Sequence, residues 1–419
     1  MASKNSNFVR QELNLHEAIN HALRSVVMRE MGILHNVFYL IGNPGIGKTF
    51  MIQDACKSMN IGFIGYEPAL ERVEKFGGIP DMVWIDKEDS PTKETAIGYN
   101  NKSLQNKELH TIWSVPQIIC EIREVAEKFK NVVVLFDDWH LCTEDIQQIG
   151  FELFSYYQLN GHKIPKNVTF ILAGNESSAA GARVQLSAIR NRSTVLYTKP
   201  DVDYWIENFA IPKGLHEAGV SFFMQTENRA LFSEDENINE QFGSPRSWTS
   251  LFNNIAIMEN LKDCIDSKNE VESKHLLAIA QGEVSKDAAS KFVSYYKIYR
   301  HIDVNKIFRE GEANIPGDQI ERFAFGTAVT SAFYEKFIKA KKKEDKEFIA
   351  KTFCKIMKKL NEDYKELSVR CIRNLIFKPK VENFPSGKEV FQDLVKNKAM
   401  SEKLIQDLSQ TINVLGTFK

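Results

Sequence analysis

Apolar positions divide the chain into three stretches. Between residues 14 and 30, Leu15, Ile19, Ala22, Leu23, Val26 and Val27 recur at helical spacing and predict a leading amphipathic helix. Short β-prone apolar runs follow at residues 37–41, 61–66, 82–85, 132–136, 169–173 and 194–197, with helical patterns at 49–58, 115–129 and 143–158 between them. Strands that alternate with helices imply a parallel sheet covered on both faces. After about Pro200 the β-branched runs stop and the rest reads as helices. The clearest breaks are Pro212, residues 243–245, the stretch EGEANIPGD and residues 379–387. The expected fold is therefore an α/β domain of roughly 200 residues followed by all-helical chain.

Composition limits the classes this pattern can belong to. The 419 residues carry 54 Lys and Arg against 55 Asp and Glu, a net charge of −1, with 43% hydrophobic content. That is the balance of an ordinary soluble chain of two or three domains. No run of 18 apolar residues occurs and the first residues lack the apolar core of a secretory signal, so a cytoplasmic protein with no membrane partner is expected. Six dispersed cysteines without a C-x-x-C pair argue against a disulfide framework or zinc ribbon, and are expected to be small buried hydrophobes. The neutral total removes bulk attraction to nucleic acid, and the run KAKKKEDKE, of mixed sign, reads as a solvated helix face.

Chemistry enters after the first strand. Gly42-Asn43-Pro44-Gly45-Ile46-Gly47-Lys48-Thr49 is a complete G-x-x-x-x-G-K-[ST] motif between a strand and a helix. Its glycines let backbone amides wrap a phosphate chain, and the helix adds its positive N-terminal end. Lys48 is expected on the β- and γ-phosphates and Thr49 on magnesium, so the ligand is a nucleoside triphosphate with Mg²⁺. The run VVVLFDDWH supplies the second acidic strand, with Asp137 assigned to the magnesium shell and Asp138 to the attacking water. For Asp138 the alternative is a helix cap. His140, without spaced partners, reads as neither base nor ligand. Asn175 ends the next apolar run, Arg190 and Arg192 precede a further strand, and Arg246 follows a Gly-Ser-Pro turn at a helix start. Between residues 67 and 80, Phe76 beside Gly77 and Gly78 is either an exposed aromatic on a hinge or a ring packed back on the core, and the polar stretch 84–105 reads as a long loop.

Together these residues resemble the AAA+ ATPases, and within them the MoxR-like branch. GNPGIGKT is similar to Walker A, VVVLFDDWH to Walker B, LNGHKIPKNVTFILAGN to the hairpin leading to sensor 1, LSAIRNRSTV to the arginine-finger segment and FGSPRSW to sensor 2. The resemblance is strongest from Phe38 to Trp248, and beyond about Pro316 it is compositional only. It implies a P-loop parallel sheet between helices over 1–200 and a helical lid over 201–316, while the apolar pattern alone makes 317–419 a helical C-terminal region. It also implies a homo-oligomeric ring, usually of six subunits, in which Asp138, Asn175, Arg192 and Arg246 act on ATP. Arg192, with Arg190 as the alternative, would reach the neighbouring subunit's nucleotide. The family implication for partners is a protein substrate or adaptor, including proteins with a von Willebrand A domain.

Three functions compete at this point: a remodelling ATPase acting on protein, a nucleic-acid motor or helicase loader, and a nucleotide-gated scaffold that hardly turns ATP over. Many relatives carry Asp-Glu at Walker B, whereas this chain has Asp137-Asp138. The shorter side chain leaves the carboxylate roughly 1.5 Å short unless the backbone shifts, and ~1 Å of misplacement costs about 100-fold. Slow hydrolysis is expected.

Overall fold

The computed structural model describes residues 11–33, 36–86, 107–175, 187–234, 240–260, 270–380, 384–397, 403 and 405–407. The chain forms two compact units, Met1–Lys199 and Pro200–Lys419.

The first unit is built on a parallel sheet whose strands run in the spatial order Leu13–Asn14, Ser193–Lys199, Val37–Ile41, Val168–Gly174, Val132–Phe136, Gly62–Tyr66. Val132–Phe136 and Val168–Gly174 are buried at every residue, which is why they read as unbroken apolar runs. Their side chains alternate between two cores. Val133, Leu135, Ile171 and Ala173 meet the helices Leu15–Glu30 and Lys48–Ser58 on one face. Val134, Phe136, Phe170 and Leu172 meet the helices Gln117–Lys128 and Glu144–Tyr156 on the other. Thr143 caps the second of these by accepting from the Ile146 amide.

One expectation for this unit changes and one open alternative is decided. The run 82–85 lies outside the parallel sheet. It belongs to an antiparallel ribbon, Pro80–Asp86 with Lys107–Trp113, and the rest of the expected loop 84–105 lies outside the described residues from 87 onward. Phe76 is 2% exposed and packs among Tyr66 and Phe136, with ring centroids 5.8 and 6.0 Å away, so it is a core residue. Its glycine neighbours serve close packing: a Cβ on Gly77 would stand 3.3 Å from Ile149 Cδ1, and Gly78, at φ +74, would place one 2.6 Å from the Ser114 carbonyl oxygen. Among the described cysteines, Cys56, Cys142, Cys354 and Cys371 are buried as expected, while Cys120 is exposed.

The second unit is helical, from Val202–Trp205 to Gly387–Lys396. One hydrophobic cluster gathers Trp205, Phe222, Phe223, Trp248, Phe252 and Phe292, and a second gathers Phe333, Phe353, Met357, Leu360 and Ile372. The breaks fall where the sequence puts them: Gly311 caps Val304–Glu310 in the left-handed region, and Asp318 caps Gln319–Lys339. Residues 341–345 are all exposed, as a solvated charged face requires. An α/β P-loop sheet sandwiched by helices and followed by helical chain, the fold expected of an AAA+ protein, is thus the fold observed. No helix among the described residues is long and apolar enough to cross a membrane.

An ion-pair cluster ties this unit together. Glu259 accepts from His216 Nε2 at 2.9 Å, the Tyr296 hydroxyl at 2.5 Å and Arg300 at 2.9 Å. Burial opposes ionisation of Glu259, but these hydrogen bonds and charges outweigh it and hold the carboxyl at about 2. That value lies below the ordinary one of about 4.3, so ionised Glu259 contributes stability that is present above about pH 4.3 and is lost as the pH falls through the folded value. Wild type is expected to melt above Glu259→Gln at about pH 5, and the gap to close toward about pH 2. Thermal melts followed by circular dichroism check this, and a pH-independent gap would contradict it.

Candidate functional site

Strand order brings the motif residues together. Val168–Gly174 lies between the phosphate-loop strand and the acidic strand, with Ile41 opposite Gly174 and Phe136 opposite Leu172. Gly42, Asp137, Asp138 and Asn175 therefore leave the sheet at one level on its C-terminal edge, where open α/β sheets bind ligands. The Gly42 amide donates to the Gly174 carbonyl at 3.2 Å, and the Asp137 amide still pairs with Tyr66 at 2.8 Å.

The phosphate loop is shaped by its glycines and pinned by Ile46, which is 4% exposed in the core. Gly45 and Gly47 have φ of +77° and +95°. A Cβ on Gly42 would lie 2.5 Å from both the carbonyl and the hydroxyl oxygen of Thr198, so no larger residue fits without moving the loop. The helix Lys48–Ser58 opens without a side-chain cap and without an acidic residue in its first turn. Its first amides thus face the loop with no carboxylate to compete for them, as anion binding requires.

Lys48 is 7% exposed, and its ammonium donates to the Gly42 carbonyl at 2.8 Å, the Asn43 carbonyl at 3.1 Å and Asn175 Oδ1 at 2.9 Å. The Thr49 hydroxyl donates to the Asp137 carboxylate. Asp137 is oriented in turn by the Asp138 amide, which donates to its Oδ1 at 2.9 Å. Asp138 makes no side-chain cap on the 3₁₀ turn that follows, and its side chain is 46% exposed. Its backbone is left-handed, at φ 47° and ψ 36°, a conformation that Asp and Asn tolerate better than other side chains. The adjoining hydroxyl and carboxylate are hard oxygen donors of the kind magnesium takes together with substrate phosphates, so the residues present fit a nucleoside triphosphate with Mg²⁺.

The arginines have surroundings of their own. Arg190 is exposed, on the short helix Ser187–Asn191. Arg192 is half-buried: its guanidinium lies 4.6 Å from the Phe151 ring centroid and donates to the Ala188 carbonyl at 3.3 Å. Arg246 belongs to the second unit, exposed in the first turn of Pro245–Asn260. The FGSPRSW motif builds that helix start. A Cβ on Gly243 would strike the Leu231 carbonyl oxygen at 2.1 Å, Ser244 accepts from the Ser247 amide at 3.1 Å, and buried Trp248 donates to Leu231 at 2.7 Å.

One residue of the site carries no role in the sequence reading. His140 is 4% exposed, and its Nδ1 accepts from the Asn175 amide at 3.2 Å. Its place two residues after Asp138 is the only signal the sequence offers. No group of three metal-ligating side chains occurs among the described residues.

No protein-family model matches the chain, and no curated protein matches it. Among solved structures it is similar to RuvB of Thermotoga maritima. A mutant of that protein aligns at 12% identity over 76% of this chain and 87% of that one, with a TM-score of 0.34. The structure titled RuvB Holliday junction branch migration motor aligns at 11% identity over the same shares, with a TM-score of 0.32. Strand order and side-chain geometry, rather than a likeness at this level, define the site.

Proposed function

We propose that the chain is a Mg-ATP-dependent AAA+ ATPase of MoxR-like type that assembles as a ring and remodels a partner protein. The observation that carries this reading is the convergence of Lys48, Thr49, Asp137, Asp138 and Asn175 at one sheet edge, with Lys48 on Asn175 and Thr49 on Asp137. In this role Lys48 exchanges its loop carbonyls for the β- and γ-phosphates, and Asn175 senses the γ-phosphate through the amide that now meets Lys48. Asp138 polarises the attacking water. Thr49 and Asp137 hold magnesium, which when bound neutralises phosphate charge. Arg192 acts on a neighbouring subunit's ATP, and Arg246, in residues 201–316 as the lid, adds a further positive charge.

The preference for a protein partner, rather than the nucleic acid of a motor or loader, is supported by the ribbon. Pro80, Met82 and Trp84 stand opposite Trp113, Thr111 and Leu109 and so share one face. Met82, Leu109 and Trp113 are 50, 46 and 40% exposed there. An apolar face of this kind suits peptide better than phosphate backbone. A von Willebrand A domain protein is the partner class the resemblance implies.

Imaging the purified protein with and without a slowly hydrolysed ATP analogue tests the assembly. Rings with the analogue are expected. A monomer under both conditions would refute the ring, and a wild type without ATPase activity would refute the enzyme.

A further inference from the structure

We infer that His140 is a positioning residue for ATP hydrolysis: its imidazole fixes the backbone of Asn175, and through it the amide that faces Lys48. The inference rests on the ATPase reading above and goes beyond it, because that reading gives His140 no part.

The geometry is that of a lock. His140 sits in the 3₁₀ turn Trp139–Leu141, immediately after the acidic pair, and is 4% exposed. Asn175 is the first residue past Val168–Gly174, where the ladder to the phosphate-loop strand ends with Ile41 opposite Gly174. A backbone N–H at such a point needs a partner from outside the ladder. The partner is His140 Nδ1, at 3.2 Å. An Nδ1 that accepts leaves the ring proton on Nε2, which fixes the tautomer.

Packing leaves the lock no slack. A Cβ on Gly174 would lie 2.6 Å from the Tyr39 hydroxyl and 3.3 Å from His140 Nδ1, so only glycine lets the three groups close on one another. One residue further, Asn175 Oδ1 accepts from Lys48 at 2.9 Å. On the other side, His140 Nδ1 is 3.9 Å from Asp138 Oδ1. His140 thus stands between the carboxylate assigned to the water and the amide assigned to the γ-phosphate, and holds their spacing.

The test compares side chains that do and do not place an acceptor where Nδ1 stands. Asn in this position offers Oδ1 near the site of Nδ1; Gln reaches the site of Nε2 instead; Leu fills similar volume with no acceptor. His140→Leu is expected to lower kcat about 10- to 100-fold, the scale of a ~1 Å misplacement. The Kd for a fluorescent ATP analogue should change less than about threefold, since the phosphate loop is untouched. His140→Asn should recover most of kcat and His140→Gln little. In an Asn175→Ala background, His140→Leu should cost little more, because the two act as one unit. In nucleotide-free protein, the Asn175 amide should exchange with deuterium faster in His140→Leu than in wild type.

Wild-type kcat in His140→Leu, or an undiminished loss in the Asn175→Ala background, would overturn the inference. Should His140→Leu fail to fold, the Asn and Gln variants decide, and equal rates for those two would overturn it. A wild type that does not hydrolyse ATP defeats the ATPase reading itself, whereas turnover in wild type with unchanged His140 variants defeats only the positioning role.

Discussion

Replacing Asp138 with Asn is expected to lower ATP turnover by about 100- to 10,000-fold, the range for loss of a positioned proton acceptor, while fold and ATP affinity persist. The left-handed backbone at this position is what makes the variant informative, since Asn adopts it as readily as Asp. The Asp138 amide, which orients Asp137, is unchanged by the substitution. Because the side chain makes no cap and is 46% exposed, no structural hydrogen bond is lost with the charge. The shorter carboxylate makes slow but measurable hydrolysis the expected wild-type behaviour. Steady-state ATPase assays with an analogue-binding titration check both points. Unchanged turnover in the variant would remove Asp138 from the mechanism.

How much of this was legible in the sequence depended on how local its cause was. The apolar runs at 37–41 and 132–136 match their strands residue for residue, because a strand buried on both faces has no polar position to blur its ends. The phosphate loop was legible because each glycine answers a local demand, two for positive φ and one for the approach to Thr198. The ribbon was not. Lys107–Trp113 mixes charged and apolar residues, and only its pairing with Pro80–Asp86 shows that 82–85 is no strand of the main sheet. Phe76 stayed ambiguous because glycines beside an aromatic look like a hinge, and only Ile149 and Ser114, brought in by folding, show that they permit close contact. His140 was not legible because its partner, Asn175, lies 35 residues away and meets it only when Val168–Gly174 inserts beside Val132–Phe136.

Lys48→Ala is expected to abolish measurable ATP turnover, and a mixture with Arg192→Ala subunits to restore part of it. Removing the ammonium deletes the charge that faces the phosphates. It also leaves the Gly42 and Asn43 carbonyls and Asn175 Oδ1 without their donor, at about 1–3 kcal/mol for each group that stays buried. Arg192→Ala alone should cost about 1,000-fold or more if the arginine neutralises transition-state charge. The two lesions differ in where they act. In a head-to-tail ring assembled at random from equal amounts, about a quarter of the interfaces pair an intact loop with an intact arginine. Those interfaces should turn over, although neither variant does so alone. Arg192 now lies over the Phe151 ring, and for this half-buried pair leaving it costs about 1–2 kcal/mol, less than the gain at a developing phosphate charge. Exposed Arg190 faces no such cost, so the same mixture with Arg190→Ala identifies the finger: recovery with that variant, and none required for Arg192, would move the role two residues back. Absence of recovery with either arginine would remove both as fingers acting on a neighbouring subunit's ATP.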